Sequence, residues 1–239
     1  LGHDVRIIPP AYVKPYVKRQ KNDAADAEAI CEAVTRPSMC FVPVKTVGQQ
    51  SVLVLCRARD LLMRQRTMIL NAIRGHLAEF GIIAAQGPRQ VLGLIARLWD
   101  EGDASLPEIA RSALLALGAH LETLAGEIHA LERQFMVWHR ADATSQRLET
   151  IPGVGLITAT ALAASVPDPS MFKSGRQFAT FLGLVPRQNS SDGKDRLGRV
   201  SKMGDRYLRK LLVVSATSVI RRAGNNPTKP ELGCDRLWI

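Results

Sequence analysis

Apolar positions recur along this chain with a helical period in three places, and the longest run is the clearest. Leu114, Leu117, Leu121, Leu124, Ile128, Leu131, Phe135 and Trp138 alternate steps of three and four, the heptad seam of a long helix. A second helical pattern covers about 52 to 80. It places Leu62, Ile69, Ile73, Leu77 and Phe80 on one face, with Arg57, Arg59, Arg64, Arg66 and Arg74 elsewhere around it and Gly81 as its C-cap. The heptad seam needs a partner: the 52–80 helix as an antiparallel hairpin, or a second copy as a coiled coil, which the strict patterning favours. Nearer the start, Ala27, Ile30, Cys31 and Val34 mark a shorter amphipathic helix that Pro37 limits. Before it, Asp4-Val5-Arg6-Ile7-Ile8 reads as a strand closed by Pro9-Pro10. A strand needs neighbours, so its partners are expected upstream of Leu1.

The character of the chain changes near residue 145, where a compact region rich in glycine, serine and arginine begins and runs to about Ala223. The segment from Gly224 to Ile239 has prolines, adjacent asparagines and no periodicity, and reads as a frayed end. The expected divisions are 1–45, 46–143, 144–223 and 224–239.

Composition narrows the partners. With 239 residues, 46% of them hydrophobic, the chain can bury a sizeable core. Lysine and arginine outnumber the acids 32 to 22, a net charge of +10 that favours polyanions, nucleic acid first. There is no signal-like start and no apolar run long enough to span a membrane, so a soluble cytoplasmic protein is expected. Cys31, Cys40, Cys56 and Cys234 lack metal-ligand spacing and do not pair with the histidines, which makes them reduced structural thiols.

Three motifs carry candidate chemistry. Asp23 and Asp26 in Lys21-Asn22-Asp23-Ala24-Ala25-Asp26-Ala27 share one side of a helix, the side of Ala27, Ile30 and Val34. Buried acids there would need a cation or a partner, whereas the plainer reading, which spacing alone puts ahead, is a capped first turn. Ile151-Pro152-Gly153-Val154-Gly155 followed by Leu156-Ile157-Thr158 reads as a glycine turn between helices: either a plain helix turn or, as the basic charge slightly favours, one similar to a helix-hairpin-helix, in which Gly153 and Gly155 let backbone N–H groups approach a phosphate. Last, Gly183-Leu184-Val185-Pro186-Arg187-Gln188-Asn189-Ser190-Ser191-Asp192-Gly193-Lys194 sets two serines in a turn. Arg187, Lys194, Arg196, Arg199, Lys202, Arg206 and Arg209 surround it, fit to neutralise a phosphodiester and its transition state. A serine there could attack phosphorus, or the segment could be a structural turn with a basic surface. Local chemistry leaves both open.

Taken in order and spacing, Lys21 through Ala27, the heptad helix, Ile151 through Gly155, Gly183 through Ser191 and Val200-Ser201-Lys202 resemble the insertion-sequence one-ten transposases over about 1–223. The resemblance implies a mainly α chain. It comprises the remnant of an α/β RNase H-like (RuvC-like) domain, a long coiled-coil or helical hairpin, and a helical C-terminal transposase domain with the helix-hairpin-helix-like element. It also implies an Asp-Glu-Asp-Asp site for Mg2+, in which Asp23 and Asp26 match the third and fourth acids. Ser191, five residues past Pro186, matches the nucleophile, with Ser190 adjacent. The first aspartate and the glutamate have no counterpart, and the tail beyond Ala223 departs from the family, so a partial enzyme of doubtful activity in isolation is expected. The implied partners are double-stranded DNA, a structured noncoding guide RNA and a second copy through the coiled coil.

The expected function is a serine recombinase that cuts and rejoins DNA through a phosphoserine linkage. Two rivals remain: a non-catalytic nucleic-acid-binding module, and a RuvC-like nuclease that cuts by metal-activated water.

Overall fold

A computed structural model describes residues 3, 5–18, 22–39, 41–85, 87–100, 106–190, 194 and 196–225. Among them the chain forms α1 (Pro10–Val13), α2 (Asp23–Thr35), α3 (Val47–Glu79), α4 (Pro88–Asp100), α5 (Glu108–Ala141), α6 (Ala143–Glu149), α7 (Leu156–Ser165), α8 (Gly175–Phe181), the strands β1 (Pro186–Gln188) and β2 (Leu197–Val200), and α9 (Arg206–Asn225). The architecture is mainly α, with one two-stranded antiparallel sheet. Packing divides the chain into two units, each assembled from separated stretches. One joins Leu1–Gln50 to Ala164–Asp205, and the other joins Ser51–Ala163 to Arg206–Ile239.

The larger unit is organised by α3 and α5, each about 50 Å long at a helical rise of about 1.5 Å per residue. They run antiparallel: Arg59 of α3 meets Glu132 of α5 near one end, while Ile73 and Leu77 share a core with Leu114 and Leu121 near the other. The heptad seam is therefore buried inside this chain. Leu114, Leu121, Leu124, Ile128 and Phe135 are all inaccessible, whereas Leu117, Leu131 and Trp138 are half-buried at its margins. Helix α4, which the periodicity reading left unassigned, adds Val91 and Ile95 to the same core. Gly118 makes this approach close, since a Cβ there would lie 2.8 Å from the Ile95 side chain. Gly81 closes α3 as expected: its φ is +75°, and the Ile82 N–H donates to the Leu77 carbonyl at 3.0 Å, a Schellman ending.

In the smaller unit the strand expected over Asp4–Ile8 is reduced, among the described residues, to one antiparallel bridge between Ile7 and Val42. Helix α2 forms where expected, but its inner face differs. The buried residues are Ala29 and Ala33, which share a stripe with Ala25, while Ile30 is 48% exposed. Small alanine side chains let α1 and the turn Lys14–Tyr16 pack closely against this stripe. The expectation that both acids lie on the buried face is corrected for Asp23, which is exposed, whereas Asp26 is half-buried and stands three and seven residues before Ala29 and Ala33 on that face.

Cys31 is exposed and Cys56 buried, both as free thiols. Cys40 and Cys234 lie outside the described residues, as does most of the tail, 226–239. Among the described residues, no helix is long and apolar enough to cross a membrane.

Candidate nucleic-acid interface and active-site turn

The serine turn sits at the end of a short ribbon. Helix α8 begins on Ser174, whose hydroxyl accepts from the Gln177 N–H, and Phe172, Phe178 and Phe181 pack on one another to hold it. At Gly183 the chain turns with φ +69° into β1. β1 pairs with β2 so that Pro186 faces Val200 and Gln188 faces Leu197, with a bulge between the two pairs. Backbone bonds extend the pairing both ways. Ser201 N–H donates to Val185 O at 2.8 Å, Lys202 N–H to Gly183 O at 3.0 Å, and Asn189 N–H to Arg196 O at 2.8 Å.

The base of the ribbon is a crossing of two backbones that only glycines permit. A Cβ on Gly183 would lie 2.6 Å from the Gly204 and Met203 nitrogens, and one on Gly204 would lie 2.2 Å from the Phe181 carbonyl. Between them Lys202 adopts φ +55°, a left-handed conformation unusual for a residue with a side chain. Strain of this kind persists only where the surroundings impose it, and it recurs at functional sites. Gly183 heads the serine-bearing segment, and its clasp with Gly204, 21 residues further on, has no local signal in the sequence.

The ribbon is open to solvent: β1 is exposed throughout, and on β2 only Gly198 is half-buried. Arg187, Lys194, Arg196, Arg199 and Lys202 are exposed along it, and Arg206, also exposed, begins α9. Among the described residues none of these six cations has an acidic partner. Arg187 Nη2 instead donates to the Ser201 carbonyl at 3.4 Å, orienting its guanidinium along the ribbon. Ser190 has a structural task, since its hydroxyl accepts from the Arg196 N–H at 3.2 Å and so helps to close the turn. Ser191, the expected nucleophile, lies outside the described residues.

The acids occupy the first turn of α2. Asn22 caps the helix, its side-chain oxygen accepting from the Ala25 N–H at 2.6 Å, and Asp23 and Asp26 follow where the helix dipole favours carboxylates. Among the described residues no three His, Cys, Asp or Glu side chains gather to hold a metal. Magnesium ordinarily takes one or two carboxylates together with waters and substrate phosphates, so two carboxylates suffice in number, though here both come from a single helical turn.

The glycine turn at 151–155 resolves into two roles. Gly153, φ +85°, packs against α9, where a Cβ would meet Val219 Cγ2 at 2.4 Å and the Ser215 carbonyl at 2.9 Å. Gly155 is exposed with open space around it, at the start of α7. Beside this turn, His139 Nδ1 lies 2.7 Å from Ser145 Oγ and His139 Nε2 lies 2.9 Å from a Glu149 oxygen. Ser145 also reaches Thr160 Oγ1 at 3.3 Å. The order Glu, His, Ser imitates a nucleophile triad, but Ser145 is wholly buried, so the network ties α5, α6 and α7 together instead of attacking a substrate.

The stretch from residue 145 to 230, which contains the glycine turn, the ribbon and α9, matches the family model described as "Transposase IS116/IS110/IS902 family". Over 226 residues the chain is 49% identical to a "Probable family 20 transposase" of Pseudomonas aeruginosa, covering 94% of this chain and 67% of that protein. The chain belongs to the IS116/IS110/IS902 transposase family. A "Putative transposase y4pF/y4sB" of Sinorhizobium fredii is 50% identical over 92% of this chain and 57% of its own length. The transposase for insertion sequence element IS1328 of Yersinia enterocolitica is 43% identical over 93% and 66%. The chain thus spans 57% to 67% of the length of these three relatives. Within the family match fall the ribbon, its cations and both serines; Asp23 and Asp26 precede it.

Proposed function

We propose that this member of the IS116/IS110/IS902 family acts on DNA, cutting and rejoining strands through a serine–phosphate linkage. The observation that carries the reading is the exposed ribbon, whose cations have no acidic partner among the described residues and flank a serine turn inside the family-matched segment. In the proposed step, Ser191 Oγ bonds to a backbone phosphorus while the bond from that phosphorus to one deoxyribose oxygen breaks. The hydroxyl proton leaves, and the released strand end takes up a proton. Arg187, Lys194, Arg196, Arg199 and Lys202 offset the charge gathered on the phosphoryl oxygens. Rejoining is the same step reversed with a new strand end as nucleophile. Ser190, engaged with Arg196, is the less suited of the two serines.

Asp23 and Asp26 are proposed as two acids of a Mg2+ site, with further ligands required from elsewhere; no step is routed through it. A structured guide RNA is proposed as the source of sequence choice, since the cations here suit phosphates more than base edges. Self-association would use positions of α5 outside the covered seam, such as Ile109 and Val137, which are 85% and 70% exposed.

The test is Ser191→Ala in a form extended to the full length of the relatives, incubated with DNA carrying element ends. The covalent protein–DNA adduct is expected to vanish on a denaturing gel. An adduct that persists moves the nucleophile. Wild-type binding without any adduct leaves a non-catalytic module, and free strand ends without an adduct indicate metal-activated water.

A further inference from the structure

Between α8 and the ribbon opens a cleft of about 390 Å3, lined by Arg176 and Thr180 on one side and by Val185, Pro186, Gln188 and Leu197 on the other. Its size falls within the range of small-ligand clefts, roughly 300–1,000 Å3. The lining is chemically divided. Val185, Pro186 and Leu197 give it an apolar side, on which Leu197 is 69% exposed and so open to contact. The same lining carries an amide, a hydroxyl and a guanidinium, those of Gln188, Thr180 and Arg176. Thr180 Oγ1 donates to the Arg176 carbonyl at 2.9 Å, so its lone pairs remain to accept. Neither the Gln188 amide nor the Arg176 guanidinium bonds to any described residue.

We propose that this cleft holds one unpaired deoxynucleotide extruded from the DNA helix, an inference that rests on the reading that the chain acts on DNA. The apolar side takes the face of a base. A glutamine amide offers a donor and an acceptor together, the pattern that pairs with adenine. Arg176 takes the attached phosphate. A paired base cannot enter, because its face is stacked and its edge lies at the bottom of a groove, so the nucleotide must leave the stack. Extrusion serves the proposed chemistry by position. Gln188 lies two residues before Ser190 on the same ribbon, so a nucleotide seated against it holds the neighbouring phosphodiester in register with the serine turn. Side chains alternate across a strand, so Arg187 faces away from Pro186 and Gln188 and contacts phosphates without regard to extrusion.

The experiment measures binding of this chain, by fluorescence anisotropy, to a labelled DNA duplex with one unpaired adenine and to the same duplex fully paired. The bulged duplex is expected to bind about tenfold tighter, the effect of one or two good hydrogen bonds plus apolar contact. Gln188→Ala and Arg176→Ala, both at exposed positions, should each remove most of that preference and leave binding to paired DNA nearly unchanged. Arg187→Ala should weaken both complexes alike. Equal affinity for the two duplexes, a preference that survives both cleft substitutions, or a preference only for an unpaired ribonucleotide overturns the proposal. The adduct assay stays separate: an adduct without the preference removes the cleft alone, and a preference without an adduct removes the recombinase reading alone.

Discussion

The α3–α5 body and the β1–β2 ribbon carry cations of the same kind, but only the body pairs some of them with acids. In the body, three cations are matched to acids, although Arg66 and Arg74 have no acidic partner among the described residues. Arg59 donates through Nε and Nη2 to Glu132, and Asp60 receives both Lys210 and Arg64. On the ribbon, Arg187, Lys194, Arg196, Arg199 and Lys202 stand exposed without an acid among the described residues. Matched charge stabilises a fold at short range, and unmatched charge on an exposed ribbon raises the local potential for a polyanion. A net charge of +10 could not distinguish these uses. On this contrast, Arg59, Arg64 and Lys210 contribute to the fold, and the ribbon cations are the ones left exposed for the proposed phosphate contacts.

The largest test of that division removes core volume from the body. Phe135 is wholly buried on α5, and Phe135→Ala should cost about 3–5 kcal/mol, read as a lower midpoint in chemical denaturation. If Phe135→Ala left the midpoint unchanged, the seam would not be what holds the body together.

The next test moves to the ribbon. Arg187→Ala with Arg199→Ala should leave the denaturation midpoint within about 0.5 kcal/mol of wild type, because both side chains are exposed and neither has an acidic partner among the described residues. DNA affinity should fall, and the slope of log K against log salt should flatten by about two, one for each phosphate that is no longer neutralised. A large loss of stability with an unchanged slope would reverse the assignment.

How much of this could be read from residues alone depended on the length and burial of each element. The heptad run and the Gly81 cap were legible because long helices with a buried stripe repeat their pattern over many turns. The existence of α2 was legible but its inner face was not: packing selected Ala29 and Ala33, which carry little hydrophobic signal, over Ile30. Helix α4 carries a helical signal too, since Val91, Leu94 and Ile95 repeat at helical spacing over a length equal to that of α2. The ribbon escaped because strands of three and four residues are too short to show an alternation, and its anchor, the crossing of Gly183 with Gly204, joins residues far apart in order. At the site, the sequence marked Ser190, Ser191 and the cations as candidates, whereas the task of Ser190 needed the bond from Arg196. The cleft beside Gln188 had no sequence signal, since Arg176, Thr180 and Leu197 become neighbours only through folding.

The smallest expected effect sharpens the contrast from the side of the body. Arg59 and Glu132 are partly shielded, with side chains 19% and 33% exposed, and Glu132 also has His129 at 3.5 Å. Partial burial strengthens the pair relative to a surface bridge, but desolvation and residual solvent screening offset part of the gain. A double-mutant cycle of Arg59→Met and Glu132→Gln should therefore give a coupling of about 1–2 kcal/mol, larger than ordinary exposed pairs give. The same cycle measured on DNA affinity should give no coupling, because an arginine held by a carboxylate has little left to offer a phosphate. If Glu132→Gln instead tightened DNA binding and Arg59→Met abolished that gain, the body would hold a masked phosphate contact, and stability and recognition would share the α3–α5 surface.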